Sequence, residues 1–132
     1  YWMGRDETHP LAMTPDIERN AFCMIDLANR LLTLAKGAGV LVREMPSGGV
    51  VKSGWRPPAV NAATENASPT SKHMTGQAID IYDPSGRLDM WLEAHPQVLK
   101  DLGLWLEHPS KTPNWAHVQS VPPPSGNHVF YP

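Results

Sequence analysis

Fourteen prolines in 132 residues set the first limit on what this chain can fold into. Proline fixes φ and removes a backbone donor, so this density predicts short elements separated by ordered loops. One stretch escapes it. Thr14-Pro15-Asp16 opens a helix with a hydroxyl at the N-cap, Pro at the first helical position, and the acids Asp16 and Glu18 in the first turn. Ile17, Ala21, Met24, Ile25, Ala28, Leu31, Leu32 and Ala35 then recur at three- and four-residue spacing, as one buried stripe requires. Lys36 and Gly37 supply the C-terminal cation and the left-handed stop. The spacing predicts a helix of about six turns, ~33 Å long. Cys23 lies within it, and nothing nearby would make it a reactive thiol.

After the Gly37–Gly39 turn the pattern changes. Val40–Val42 and Val50–Val51 read as short strands about a Pro46–Gly49 turn. Ser53-Gly54-Trp55-Arg56 leads through Pro57-Pro58 into a polar loop running to Thr70, and so long a loop is more often functional than idle. Gln77–Tyr82 alternates as a strand, with Ala78, Asp80 and Tyr82 on one face and Ile79 and Ile81 on the other. Asp83-Pro84-Ser85-Gly86 is a type I turn by its residues. Leu88–Ala94 and Pro96–Leu102 read as two short helices, the second opened by Pro96 and closed by Gly103. Leu104–Glu107 and Trp115–Gln119 read as strands joined by a Pro-containing loop, and Val129–Tyr131 as a last edge strand beyond Pro122–Pro124. The expected architecture is α+β: a long N-terminal helix packed on a small, mainly antiparallel sheet. One domain is expected over 1–132, with 1–13 as an N-terminal arm and 122–132 as a C-terminal tail.

Composition removes several functions. Eleven basic against 13 acidic residues leave a net charge of −2, which offers no polycationic surface to nucleic acid. No apolar run approaches the ~20 residues that span a membrane. With one cysteine, an intramolecular disulfide and a thiolate zinc site both fall away. The sequence starts at Tyr1 without an initiator Met or a charged-then-apolar leader, as a processed chain or a piece of a longer one would. Location and oligomeric state are left open.

Three side chains can form a metal set: His73, Asp80 and His117. Imidazole nitrogen and carboxylate oxygen are both zinc ligands, and a catalytic zinc keeps three protein ligands and one open position. His73 and Asp80 stand seven residues apart, an odd separation that an unbroken strand would send to opposite faces. Gly76 between them permits the break that returns both to one site. Read by spacing alone, each histidine is equally an ordinary loop or surface residue, since the chain has six.

The surrounding string is more specific. Ser71-Lys72-His73-Met74-Thr75-Gly76-Gln77-Ala78-Ile79-Asp80 matches S-x-H-x-x-G-x-A-x-D throughout. That pattern resembles the zinc D-alanyl-D-alanine carboxypeptidases, the VanX-type dipeptidases and the phage L-alanyl-D-glutamate endolysins, which share a fold with the hedgehog signalling domain. Ser53-Gly54-Trp55-Arg56 is similar to their S-G-[aromatic]-R element, and Trp115-Ala116-His117 to the segment bearing their last ligand. The resemblance runs from about Val50 to Gln119 and is greatest to short, single-domain phage members. It implies a zinc ion (Zn2+) on His73, Asp80 and His117. It also implies that Arg56 holds a substrate carboxylate or carbonyl, a task suited to a planar guanidinium, and that Ser71 supports the histidine loop on the substrate side. Trp55 and Trp115, neighbours of these residues, are expected to line a substrate groove, whereas the other tryptophans are expected in the core. His9, His95, His108 and His128 match no part of the pattern.

One position departs from it. The resemblance implies a general base three residues before the last histidine, and Asn114 stands there. Glu107 is the expected substitute. In a hairpin of Leu104–Glu107 with Trp115–Val118, Glu107 opposes Trp115 and lies diagonal to His117, roughly 7–8 Å away on the same face. The expected function is therefore a zinc metallopeptidase acting on peptidoglycan stem peptides or D-amino-acid peptides, as carboxypeptidase or endopeptidase. The alternative is a catalytically silent metal-binding domain that binds cell wall or serves as a structural subunit. A non-haem iron oxygenase, which also uses two histidines and one carboxylate, fits the donor set but not the frame around it.

Overall fold

In the computed structural model, which describes residues 1–132, the N-terminal arm holds one helical turn, α1 (Arg5–Thr8), and a 3₁₀ turn at Pro10–Ala12. The long helix α2 (Pro15–Gly37) starts where its capping residues put it, with Thr14 Oγ1 accepting the Ile17 amide at 3.2 Å. Ala21, Met24, Ala28, Leu31 and Ala35 are buried along it, while Cys23 faces solvent. The fold is α+β. Strands β1 (Val51–Ser53), β2 (Ala78–Tyr82), β3 (Trp105–Glu107), β4 (Trp115–Gln119) and β5 (Val129–Phe130) form a mixed sheet in the order β1-β2-β4-β3-β5. Every pairing is antiparallel except β3 with β5.

Strand alternation divides the sheet chemically. Ile79 and Ile81 of β2, Ala116 and Val118 of β4 and Leu106 of β3 join the α2 stripe in one core. Helices α4 (Arg87–Ala94) and α5 (Pro96–Leu102) add Leu88, Leu92, Leu99 and Leu102 to it. The intervening residues Asp80, His117 and Glu107 fall on the opposite face. Against that face the arm sets Tyr1, whose hydroxyl reaches the Ala78 carbonyl, and the segment between β1 and β2 sets His73, so Asp80 and His117 are buried there.

Three local expectations are corrected. Val40–Val42 forms no strand; Val40 and Val42 pack against the core, but no ladder partner reaches them. Their β-branched side chains favour extended chain, and a sheet position also needs a neighbour in register. The polar loop after Arg56 contains a helical turn, α3 (Pro58–Ala62), begun by Pro58 at its first position. Of the tryptophans, only Trp55 is fully buried, and the other four are half-exposed.

One buried acid in this frame lacks a partner for one of its oxygens. Asp89 of α4 is 3% exposed, its Oδ1 has no hydrogen-bond partner, and its amide donates to Asp83 Oδ2 at 3.0 Å. Burial, then the charges of Asp83 and Glu93, push its pKa up to about 7. Because the folded value lies above the unfolded one, the protonated group favours folding below about pH 4, and that contribution is lost as pH rises through about 7. Asp89→Asn should therefore raise the melting temperature by a few degrees at pH 8 and change it little at pH 4. Equal melting of parent and variant at pH 8 would refute the burial cost.

Candidate metal centre

Asp80 and His117 are direct cross-strand partners in the β2–β4 ladder, so sheet register alone brings them together. His73 arrives from a turn. Gly76, at φ 71°, closes that turn, and a Cβ on it would lie 2.7 Å from the Ile17 carbonyl oxygen of α2. Only glycine admits both the left-handed backbone and the close approach of the helix. The chain then enters β2 at Ala78, which puts His73 over the face that carries Asp80.

The three side chains are buried, at 2%, 7% and 8% exposure for His73, Asp80 and His117. Asp80 Oδ1 lies 3.2 Å from His73 Nε2 and 2.8 Å from His117 Nδ1. Their ligand atoms all fall within 4.8 Å of one another, so the group could hold a metal ion. The hydrogen bonding tests whether a cation fits. His73 Nδ1 lies 2.8 Å from the Gly54 carbonyl, which can only accept, so this nitrogen carries the proton. Nε2 is then the nitrogen left facing the Asp80 carboxylate, able to donate to it when the ring is charged and to bind a cation when it is neutral. The Gly54 contact is the type that orients a metal-binding histidine from behind. Burial pushes the Asp80 carboxyl up, but hydrogen bonds from His117 and His73 outweigh it and hold it well below the usual carboxylate range.

Glu107 sits beside this group, though not in the expected register. Trp105 pairs with Gln119 and Leu106 with Val118, which sets Glu107 opposite His117 instead of Trp115. The chain turns away at Pro109 into a 3₁₀ turn, leaving Trp115 and Ala116 to pair with β2 alone. Glu107 Oε2 is 4.0 Å from His117 Nε2. Burial raises its pKa, and the charge of His117 works against that rise. Asn114 is exposed, at φ 72° in the turn before β4, and its carbonyl accepts the Asp83 amide at 2.9 Å. Its identity suits a left-handed turn.

Arg56 is 9% exposed and is fixed by Asn61 Oδ1 at 3.1 Å and Ser53 Oγ at 3.3 Å, with Asp80 Oδ2 3.9 Å away. Asn61 lies on α3, and the sequence marks it only through Pro57-Pro58 before an Ala-rich stretch. Ser71 Oγ accepts the His73 amide at 3.3 Å. Trp115 borders the site with Lys52 Nζ 3.7 Å from its ring centroid. Trp55 does not line a groove, contrary to expectation: it is wholly buried, stacks edge-on with Trp2 and donates to the Met74 carbonyl. Two clefts of about 640 and 690 Å³ meet over Glu107 and His117. One runs past Arg56 and Trp115, the other past Pro122–Pro124 and Tyr131.

No protein-family model, curated protein or solved structure matches this chain.

Proposed function

We propose that this chain is a zinc metallopeptidase that hydrolyses an amide bond in peptidoglycan stem peptides, on a hedgehog/DD-peptidase-like fold similar to that of small phage enzymes. The observation that carries the reading is the buried convergence of two imidazole nitrogens on one carboxylate oxygen, with a second carboxylate and a guanidinium alongside. His73, Asp80 and His117 would hold zinc, a donor set of the kind that catalytic zinc sites use. Zinc, when bound, supplies a Lewis acid that polarises the scissile carbonyl and acidifies the attacking water. Glu107 takes the proton from that water at Oε2 and returns it to the leaving amine. Arg56, held by Asn61 and Ser53, orients a carboxylate or carbonyl of the peptide in its planar fork. Ser71 braces the histidine turn, and Trp115 walls the groove.

Asn114 favours one alternative, the catalytically silent metal-binding domain that binds cell wall or serves as a structural subunit, because its side chain is exposed and its backbone serves the turn. Metal analysis of the purified protein beside digestion of purified peptidoglycan separates the readings. One zinc per chain with new amino groups released from the wall is the expected result. Zinc without hydrolysis passes the chain to the silent reading, and tightly held iron passes it to the oxygenase reading.

A further inference from the structure

Of all the cations in the molecule, Arg5 has the least obvious reason for its place. It belongs to the N-terminal arm, yet it crosses to the cleft that holds Arg56, His73 and Asp80. Its Nη1 donates to the Trp55 carbonyl at 2.7 Å, the backbone next to Arg56, and this is the one hydrogen bond of its side chain to the protein. It makes no ion pair. The guanidinium is half-buried, and the charge most strongly felt there is that of Arg56, of the same sign. Burial first, and then that neighbour, lower its pKa.

Arg5 and Arg56 line one partly dry cleft, where like charges repel more strongly than they do in water. Arg19 meets Asp16, Arg30 meets Asp26 and Arg56 faces Asp80, whereas Arg5 has no acid within ion-pair distance. At Arg5 the fold brings a cation toward a cation and fastens it there. The arm is anchored for that purpose by more than one contact. The Tyr1 hydroxyl donates to the Ala78 carbonyl at 3.0 Å, Trp2 packs edge-on against Trp55 and Phe22, and a side chain at Gly54 would collide with the Tyr1 backbone. The surrounding cleft adds Lys52 and Lys111, so four cations face three carboxylates, one of which, Asp80, belongs to the metal group.

We infer that Arg5 and Arg56 together form a paired-guanidinium subsite for a carboxylate of the bound peptide, so that the N-terminal arm is part of the binding site. Arg56 keeps two of its nitrogens on Asn61 and Ser53, which leaves it a fixed partial donor. Arg5 supplies the free N–H groups that complete the grip, and an anion between the two relieves their repulsion while accepting charge-assisted hydrogen bonds. The inference rests on the peptidase reading for the nature of the ligand and names its anionic end. The arm side of the metal centre takes the carboxylate, and the proline-walled cleft is left for the rest of the peptide.

The test uses zinc-loaded protein and two probes, N-acetyl-D-alanine and its uncharged methylamide, titrated calorimetrically. The parent should bind the acid at least tenfold more tightly than the amide. Arg5→Gln should cut that ratio by fivefold or more, and so should Arg5→Met, which keeps the aliphatic stem and guards against a folding defect in the first variant. An arm merely displaced would weaken acid and amide alike and leave the ratio standing. A ratio unchanged in both variants, or a parent without preference for the acid, overturns the inference. Peptidoglycan digestion is scored separately: loss of the ratio in a protein that cleaves nothing upholds the subsite and sinks the peptidase reading, whereas cleavage with an unchanged ratio does the reverse.

Discussion

His73→Ala is expected to abolish stoichiometric metal binding and to lower the melting temperature of the metal-loaded protein by roughly 10–20 °C. A ligand that binds only the folded state adds about 4 kcal/mol at a thousandfold excess over its Kd. In a chain of this length each kcal/mol moves melting by roughly 3–5 °C. The imidazole is also 2% exposed and holds the Gly54 carbonyl, so its removal leaves a buried acceptor unpaired. Metal content by elemental analysis and melting with and without chelator check this together. Chelator should bring the parent most of the way down toward the variant, and the variant itself should barely respond. Full metal content with unchanged melting would eliminate the proposed centre.

Glu107→Gln should leave fold and metal intact while lowering the hydrolytic rate 10²–10⁴-fold, the usual range for a positioned acid–base group. Glutamine matches the size of the side chain and keeps one acceptor, but it cannot take a proton. The case for Glu107 is geometric first. It lies opposite His117 in the ladder, 4.0 Å from that ring, at the meeting of both clefts. Burial then raises its pKa from the ordinary carboxylate value toward the working pH, which improves a general base. Asn114→Ala should affect the rate far less, and its expected cost is about 1 kcal/mol of stability, because alanine is poorly suited to φ 72°. Steady-state hydrolysis of a stem peptide reads both variants. Retention of parental rate by Glu107→Gln would remove the base from the proposal.

How much of this was legible in the sequence depends on how local each signal is. Helix α2 was readable from end to end, because its cap, its proline, its stripe and its stop all act within one or two turns. The placement of Asp80 and Ile79 on opposite faces of β2 was equally local, since the period of a strand is fixed at two. The break at Gly76 was readable as permission, and the structure supplies the reason it is needed: α2 passes too close for any side chain. The sequence by itself therefore determined α2 and the strands that carry Asp80 and His117, and the motif around His73 put His73, Asp80 and His117 forward as one group.

Only the tertiary structure decided the rest. The β3–β4 register differs from the simplest hairpin, with a 3₁₀ turn at Pro109–Lys111 taken up in the connection, and no pattern within either strand records it. Val40–Val42 has the composition of a strand and lacks a neighbour, and strand pairing is a long-range event. Trp55 looked like a groove wall beside Arg56, but Trp2, fifty-three residues earlier, covers it. Asn61 and Arg5 reach the site through α3 and the arm, from positions whose identity alone says nothing about where they end up. Hydrogen-bond capping and strand alternation are properties of neighbouring residues, whereas the position of a guanidinium in a cleft is set by everything that packs around it.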